Sequence, residues 1–373
     1  MKFKLVKKQK ASILLYTLLM LSVITFITLQ LVRSVNIGRN FDKYMVSKEQ
    51  ARMLALGGIN LAISQLTIEK PKKKEFQEKE SDFAKATTDR QDESVFIKKF
   101  LKKVLPNLNR WQTFNLTEKN DGFEGEVSFC ITCENGKINI NEAFDFEKQE
   151  FKKEYNILLQ GLHIKNKLAE GEILKKLTEF LKERKKKLDD VSELIEASDL
   201  EFLDIYYEPP EKAQNKKREI TNKNVTLQDI FTVFTADEKM ELLFFSDALL
   251  TVLGLRQPLA SDAEKLKESF NVLIENFKKD WGIDWEKNWQ YMAPIFGECP
   301  KVLKNISGIL SKEFGPKVYS VLSCGKVNNV KQKVLVVIKE MEEYVEKKGE
   351  EKSLEKKDDS LKKYFKILKM YWI

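Results

Sequence analysis

Twenty-two consecutive residues, Ala11 to Val32 (ASILLYTLLMLSVITFITLQLV), carry no formal charge. A helix of that length, rising about 1.5 Å per residue, reaches across a hydrocarbon core about 30 Å thick. Five lysines precede it (Lys2, Lys4, Lys7, Lys8 and Lys10), whereas only Arg33 and Arg39 follow closely. Positive flanks stay on the cytoplasmic side, so the run predicts a single-pass anchor with its N-terminus in the cytoplasm and the remainder outside. Two other uses of an apolar run fit less well. A secretory signal has an apolar region of about 7–15 residues followed by a small-x-small cleavage site, and LQLVRSVN offers none. A buried core helix rarely stays apolar around its whole circumference for so long.

Composition narrows the partners. The chain has 373 residues, enough beyond the anchor for two compact domains of ordinary size. Its net charge is +8, but the five leader lysines account for most of it, leaving +3 on a chain that is 33% charged. The remaining Lys and Glu are interspersed, not gathered into a patch, which argues against a nucleic-acid partner. Cys130 and Cys133 stand in an alternating strand pattern. Residues three apart on a strand point to opposite faces, and no second CxxC or histidine cluster completes a zinc site. With Cys299 and Cys324 they leave disulfide connectivity open. One histidine, His163, and no GxSxG, HExxH or phosphate-loop string leave few routes to catalysis. Carboxylate pairs are too numerous to exclude by eye, so a membrane-tethered enzyme stays a rival reading.

Past the anchor, Phe41, Tyr44, Met45, Ala51, Leu54, Ala55, Ile59, Ala62 and Leu66 recur at helical spacing and predict one apolar side on the continuing helix. Gly57 and Gly58 lie among them, and small residues on one side let a sheet approach the axis closely. Residues 67–94 are nearly all polar and read as a solvated loop. A short helix is expected from Phe96 to Leu105, ending at Pro106. Phe123–Thr132 alternates as a strand, Asn135-Gly136 predicts a tight hairpin, and Lys137–Asn141 predicts the returning strand. Asn141 is expected to cap the following helix.

From about Ala143 to Phe314 the pattern is mostly helical, interrupted by Pro209-Pro210 and a polar loop. Trp281, Trp285 and Trp289 would share a helical face, and a core stripe is favoured over a partner surface. Asp280, Asp284 and Glu286 lack the spacing of a calcium loop. Two strands, Lys317–Cys324 and Lys331–Ile338, flank Gly325 and Asn328-Asn329 as a hairpin. The charged stretch from Met341 to Ile373, ending YFKILKMYWI, leaves a docking helix and a disordered end both open.

A basic leader, a small residue, an apolar run and an amphipathic continuation resemble the N-terminus of type IV pilin-like proteins. Ala11 stands where the family usually has Gly, and Tyr16 where most members have Glu. A missing Glu is a feature of one subfamily, the minor pseudopilin general secretion pathway protein K. Further resemblance to it lies in QARMLALGGINLA (Gln50–Ala62), GKININEA (Gly136–Ala143), the segment Leu227–Phe234 and the two late strands. After Leu227–Phe234 the family has an asparagine-rich motif; here Lys239–Ala248 has no asparagine.

The resemblance implies an α+β fold: a long N-terminal helix packed on an antiparallel sheet, with a large all-α domain inserted into the pilin domain. The implied divisions are a leader over 1–11, the long helix over 12–66, and pilin strands over 67–142. An inserted helical domain over 143–315, closing strands over 316–340 and a charged tail over 341–373 complete them. It implies prepilin peptidase cleavage between Ala11 and Ser12, with Tyr16, Leu18, Leu19 and Leu21 packing in a fibre core. Ala51, Leu54, Ala55, Gly57, Gly58 and Ala62 would meet the sheet. The implied role is a non-enzymatic minor pseudopilin of type II secretion, in the inner membrane with its C-terminal domain periplasmic. It would cap the pseudopilus tip, where its bulky insert obstructs a further subunit. The implied partners are I- and J-type minor pseudopilins, the major pseudopilin, the prepilin peptidase, the inner-membrane assembly platform and the lipid bilayer, with no nucleic acid. No cofactor is implied other than a calcium ion in the helical part, for which the sequence supplies no placed ligand set. A type IV pilus tip adaptor of similar plan is the nearest alternative.

Overall fold

A computed structural model of the chain describes residues 3–67, 101–160, 172–197, 226–235, 239–255, 263–276, 285–311, 317–345 and 360–373. The expected loops around 68–94 and Pro209-Pro210 lie outside them, as do Trp281, Asp280 and Asp284.

Helix α1 runs unbroken from Phe3 to Leu66. At about 1.5 Å per residue it is on the order of 100 Å long. Its C-terminal third lies on a five-stranded antiparallel sheet of order β1-β2-β7-β8-β9. The strands are β1 (Trp111–Leu116), β2 (Gly125–Cys133), β7 (Val318–Val327), β8 (Val330–Val345) and β9 (Ser360–Trp372). The central pairing, from Glu126↔Lys326 to Cys133↔Tyr319, joins an early strand to a late one. Everything between Cys133 and Val318 therefore leaves the sheet and returns to it at adjacent strands. This is the α+β plan expected from the sequence. Nearly every residue of β7 is buried, because α1 covers one face of the sheet and part of the insert covers the other.

Several expectations need correction. Asn135-Gly136 does not turn a hairpin. A type I′ turn needs φ > 0 at both central residues, and neither residue is among those with positive φ. Glu134–Gly136 instead forms one 3₁₀ turn, and a Cβ on Gly136 would lie 1.7 Å from the carbonyl oxygen of Phe244. The glycine serves close packing. The strand after it, β3 (Ile138–Asn139), pairs in parallel with β6 (Phe231–Thr232), away from β2. The antiparallel neighbour of β2 on that side is β1, which the sequence reading missed.

The insert is not all helix either. Besides β3 and β6 it holds β4 (Phe144–Asp145) against β5 (Glu150–Phe151), with Phe144, Phe146 and Phe151 packed edge to face. Its helices include Lys153–Leu159, Glu172–Arg184, Ala263–Asn276 and Trp285–Phe296. On the last of these, Trp289 is buried and its indole donates to the Gly297 carbonyl at 3.0 Å.

The helix cap also moves. Asn139, not Asn141, caps Ile140–Ala143 by accepting from the Asn141 amide. Asn141 instead grips the backbone of Leu188: its Nδ2 donates to the Leu188 carbonyl at 2.8 Å and its Oδ1 accepts from the Leu188 amide at 2.7 Å. The stretch after Met341 is neither a docking helix nor a loose end. The strand β8 continues to Val345, and β9 pairs along it from Ser360 to Trp372, setting Lys362 and Lys363 opposite Glu343 and Glu342.

Candidate assembly surface

The candidate surface is built on α1, which has two unlike halves. From Leu15 to Val46 its apolar side chains are exposed; Tyr16, Leu18, Leu19 and Leu21 lie between 56% and 67% exposed. Three hydroxyls in the run bond back to their own helix. Ser22 Oγ donates to the Leu19 carbonyl, Thr25 Oγ1 to that of Leu21 and Thr28 Oγ1 to that of Ile24, each at 2.8 Å. Such back-bonding satisfies a hydroxyl inside its own helix, as a surface without water requires. Among the described residues α1 is the helix long and apolar enough to cross a membrane. Ala11 and Ser12 lie within its first turns. Phe41, Tyr44 and Met45, expected on the packed side, remain exposed because the sheet begins beneath Ser47 and Ala51.

From Ala51 to Leu66 the helix is clamped. Ala51, Ala55 and Ala62 are fully buried, Gly58 is buried, and Leu54 is half-buried. A Cβ on Gly58 would stand 2.2 Å from Ser323 Oγ and 2.9 Å from Val127. Gly57 differs from its neighbour: nothing lies within 4 Å of a Cβ there, so it takes no part in the contact. The strands supply small residues of their own. A Cβ on Gly325 would fall 2.0 Å from the Ala51 carbonyl oxygen, and one on Gly125 2.8 Å from Leu54. The expected set on the helix included Gly57 and Gly58 but neither Gly125 nor Gly325 of the sheet, which no local pattern distinguishes from turn glycines.

Polar pairs mark the edges of the clamp. Asn328, at the β7–β8 turn, donates to Ser47 Oγ at 3.0 Å. Gln65 and Gln112 exchange amide hydrogen bonds at 2.6 and 2.9 Å, and the Arg52 guanidinium lies 4.9 Å from the ring centre of Trp372.

Where the insert joins the sheet, a buried charged cluster holds the two together. Lys137 Nζ donates to Glu134 Oε1 at 2.5 Å, and Ser320 Oγ donates to the same oxygen at 2.6 Å. Lys317 Nζ meets Glu241 Oε1 at 2.8 Å, and Asn135 spans the two strand ends. Its Oδ1 accepts from the Val318 amide at 2.9 Å and its Nδ2 donates to Glu241 at 3.3 Å. Nothing in a chain so rich in Lys and Glu singled out these four charges. Burial, with Glu241 nearby, pushes the Cys133 thiol far above its ordinary pKa, and burial raises that of Cys324 as well. Both are therefore kept as inert, packed thiols. No disulfide joins the four cysteines.

Among the described residues no group of three or more His, Cys, Asp or Glu side chains is placed to hold a metal ion.

No family model matches this chain, and no curated protein matches it. Among solved structures it is similar to one described as the crystal structure of the GspK-GspI-GspJ complex from the type 2 secretion system of enterotoxigenic Escherichia coli. The identity is 10% and the TM-score 0.30, over 78% of this chain and 95% of that one. A likeness at that level carries no statement about what this chain does, which has to rest on its own residues and geometry.

Proposed function

We propose that the chain is a minor pseudopilin of a type II secretion system, a structural subunit that ends the pseudopilus and takes part in starting its assembly. One observation carries this reading. A single continuous helix is bare and apolar along its N-terminal half and clamped, through small residues, to a sheet along the rest. A bare half of that length suits two successive environments, a lipid bilayer and then the flanks of other such helices. The clamped half makes the folded domain rigid with the rod, so pulling on one moves both.

The remaining steps belong to the same proposal. The lysine-rich leader holds the N-terminus in the cytoplasm until a prepilin peptidase cuts between Ala11 and Ser12. Tyr16, in place of a carboxylate, leaves no acid to meet the amino terminus of a neighbouring subunit, which suits an end position. The insert widens the domain above the sheet and hinders stacking of a further subunit. I- and J-type minor pseudopilins are the partners expected against the bare helix.

Intact-mass measurement of the chain extracted from membranes tests the reading. A mature protein starting at Ser12 is expected, and Ala11→Lys is expected to leave an unprocessed, membrane-retained chain. A chain starting at Met1 in the working complex would overturn it.

A further inference from the structure

A small cavity lies between the sheet and the insert, on the sheet face opposite α1. Leu335 and Val337 of β8, Ser320 of β7 and Tyr371 of β9 form its floor, and Asp190, Gln228 and Phe231 of the insert its roof. Three polar atoms of these residues are buried with no hydrogen-bond partner among the described residues: Asp190 Oδ2, Gln228 Oε1 and Tyr371 Oη. A buried oxygen without a hydrogen bond is unfavourable, and Asp190 Oδ2 has only the Lys369 ammonium, at 3.5 Å, to offset its burial. Three such atoms lining one cavity point to a shared occupant.

The chemistry of the site says which. Asp190 Oδ1 is already used, accepting from the Ser192 amide at 2.7 Å, which leaves Oδ2, beside Lys369 Nζ at 3.5 Å, as the carboxylate's remaining acceptor. Gln228 Oε1 is a second acceptor, and the Tyr371 hydroxyl is free to donate. Two acceptors and one donor complement a water molecule making three hydrogen bonds, the usual number for a buried water. The cavity gives a water's centre about 20 Å³, against the roughly 10–15 Å³ that one water needs by that measure.

Charge argues against a divalent cation. Asp190 is matched by Lys369, whose Nζ lies 3.5 Å from Oδ2, and Glu134 is matched by Lys137. The lining therefore has no net negative charge to hold a cation.

We propose that one ordered water occupies this cavity, donating to Asp190 Oδ2 and Gln228 Oε1 and accepting from Tyr371 Oη, and that it fastens the C-terminal strand to the insert. Asp190 and Gln228 come from separate parts of the insert, and Tyr371 lies two residues from the chain's end. Together with the Lys369–Asp190 pair, the water makes β9 a strap across the sheet-insert junction and not merely an edge strand.

Two measurements on the full chain in detergent test this. In an experimental density map that resolves ordered water, one peak is expected within about 2.5–3.0 Å of all three oxygens. An empty site overturns the proposal, as does a peak with six to eight ligands at about 2.3–2.6 Å, the signature of calcium. In hydrogen exchange, Tyr371→Phe is expected to speed exchange of the β9 amides from Lys369 to Trp372 about tenfold. Tyr364→Phe, on an exposed ring of the same strand, is expected to leave them unchanged. Equal effects of the two substitutions would overturn the strap. Should Tyr371→Phe fail to fold, the density around the unsubstituted site still decides.

Discussion

The two halves of α1 share a helix, a residue alphabet rich in Leu and Ile, and an uninterrupted backbone, yet they meet their surroundings in opposite ways. Between Leu15 and Val46 large apolar side chains stand exposed. Between Ala51 and Ala62 most residues at the contact are small, and a sheet presses close enough that Gly325 and Gly125 have no room for a Cβ. The charge-free run ends at Val32, so hydrophobicity alone does not mark where contact with the sheet begins. Side-chain size does. A helix that must approach a rigid, pleated surface needs backbone-to-backbone contact and so sheds its side chains there. A helix that will be wetted by lipid chains or by other helices keeps large, adaptable ones.

Removing what stands beneath the clamp should break the contrast most severely. Lys317→Met leaves Glu241 buried without its cation, and loss of one partner of a buried pair costs about 3–5 kcal/mol. Denaturant unfolding in detergent should show that loss, with the sheet and insert separating together. A loss under about 1 kcal/mol would mean the junction is not where they are joined.

In the bare half, Leu21→Lys places a charge where lipid is expected, at a cost of roughly 3–4 kcal/mol near the helix centre on the insertion scale. Membrane fractionation should show reduced integration, while unfolding of the sheet stays unchanged. A fall in both would show that the halves are not independent.

Gly325→Val drives a side chain into the Ala51 carbonyl. Backbone has no rotamer to yield, so a loss of about 3 kcal/mol is expected, the upper end of ordinary overpacking. Limited proteolysis near residue 50 should report the lifted helix.

The smallest effects sharpen the comparison within one dipeptide. Gly58→Ala should destabilise by about 1–2 kcal/mol, because its Cβ meets Ser323 and Val127 despite the helical gain. Gly57→Ala meets nothing and should stabilise by up to about 1 kcal/mol, the propensity difference alone. Thermal melts of the two variants moving in the same direction would break the reading of this surface.

The expectations that failed have a common cause. Asn135-Gly136 carries the strongest short hairpin signal in the chain, yet its glycine is spent on contact with Phe244, a residue more than a hundred positions away. Asn141 reads as a cap, but Leu188 is near enough to claim its side chain. In β9, Leu361, Phe365, Leu368 and Trp372 repeat at helical spacing, and the long free edge of β8 overrides that pattern by offering twelve paired residues. Each signal was local, and each was outbid by a partner distant in sequence.

The sequence by itself determined the rod, the strands β2, β7 and β8, and the largely helical stretch between them. Those follow from periodicity and from the absence of charge, which act within a few residues. Tertiary structure alone decided where the rod stops being bare, which glycines serve contact and which serve nothing, and which four charges are buried at the junction. It also decided that the charged tail closes the sheet. These depend on what lies opposite each residue, and close packing makes that a property of pairs, which no single segment encodes.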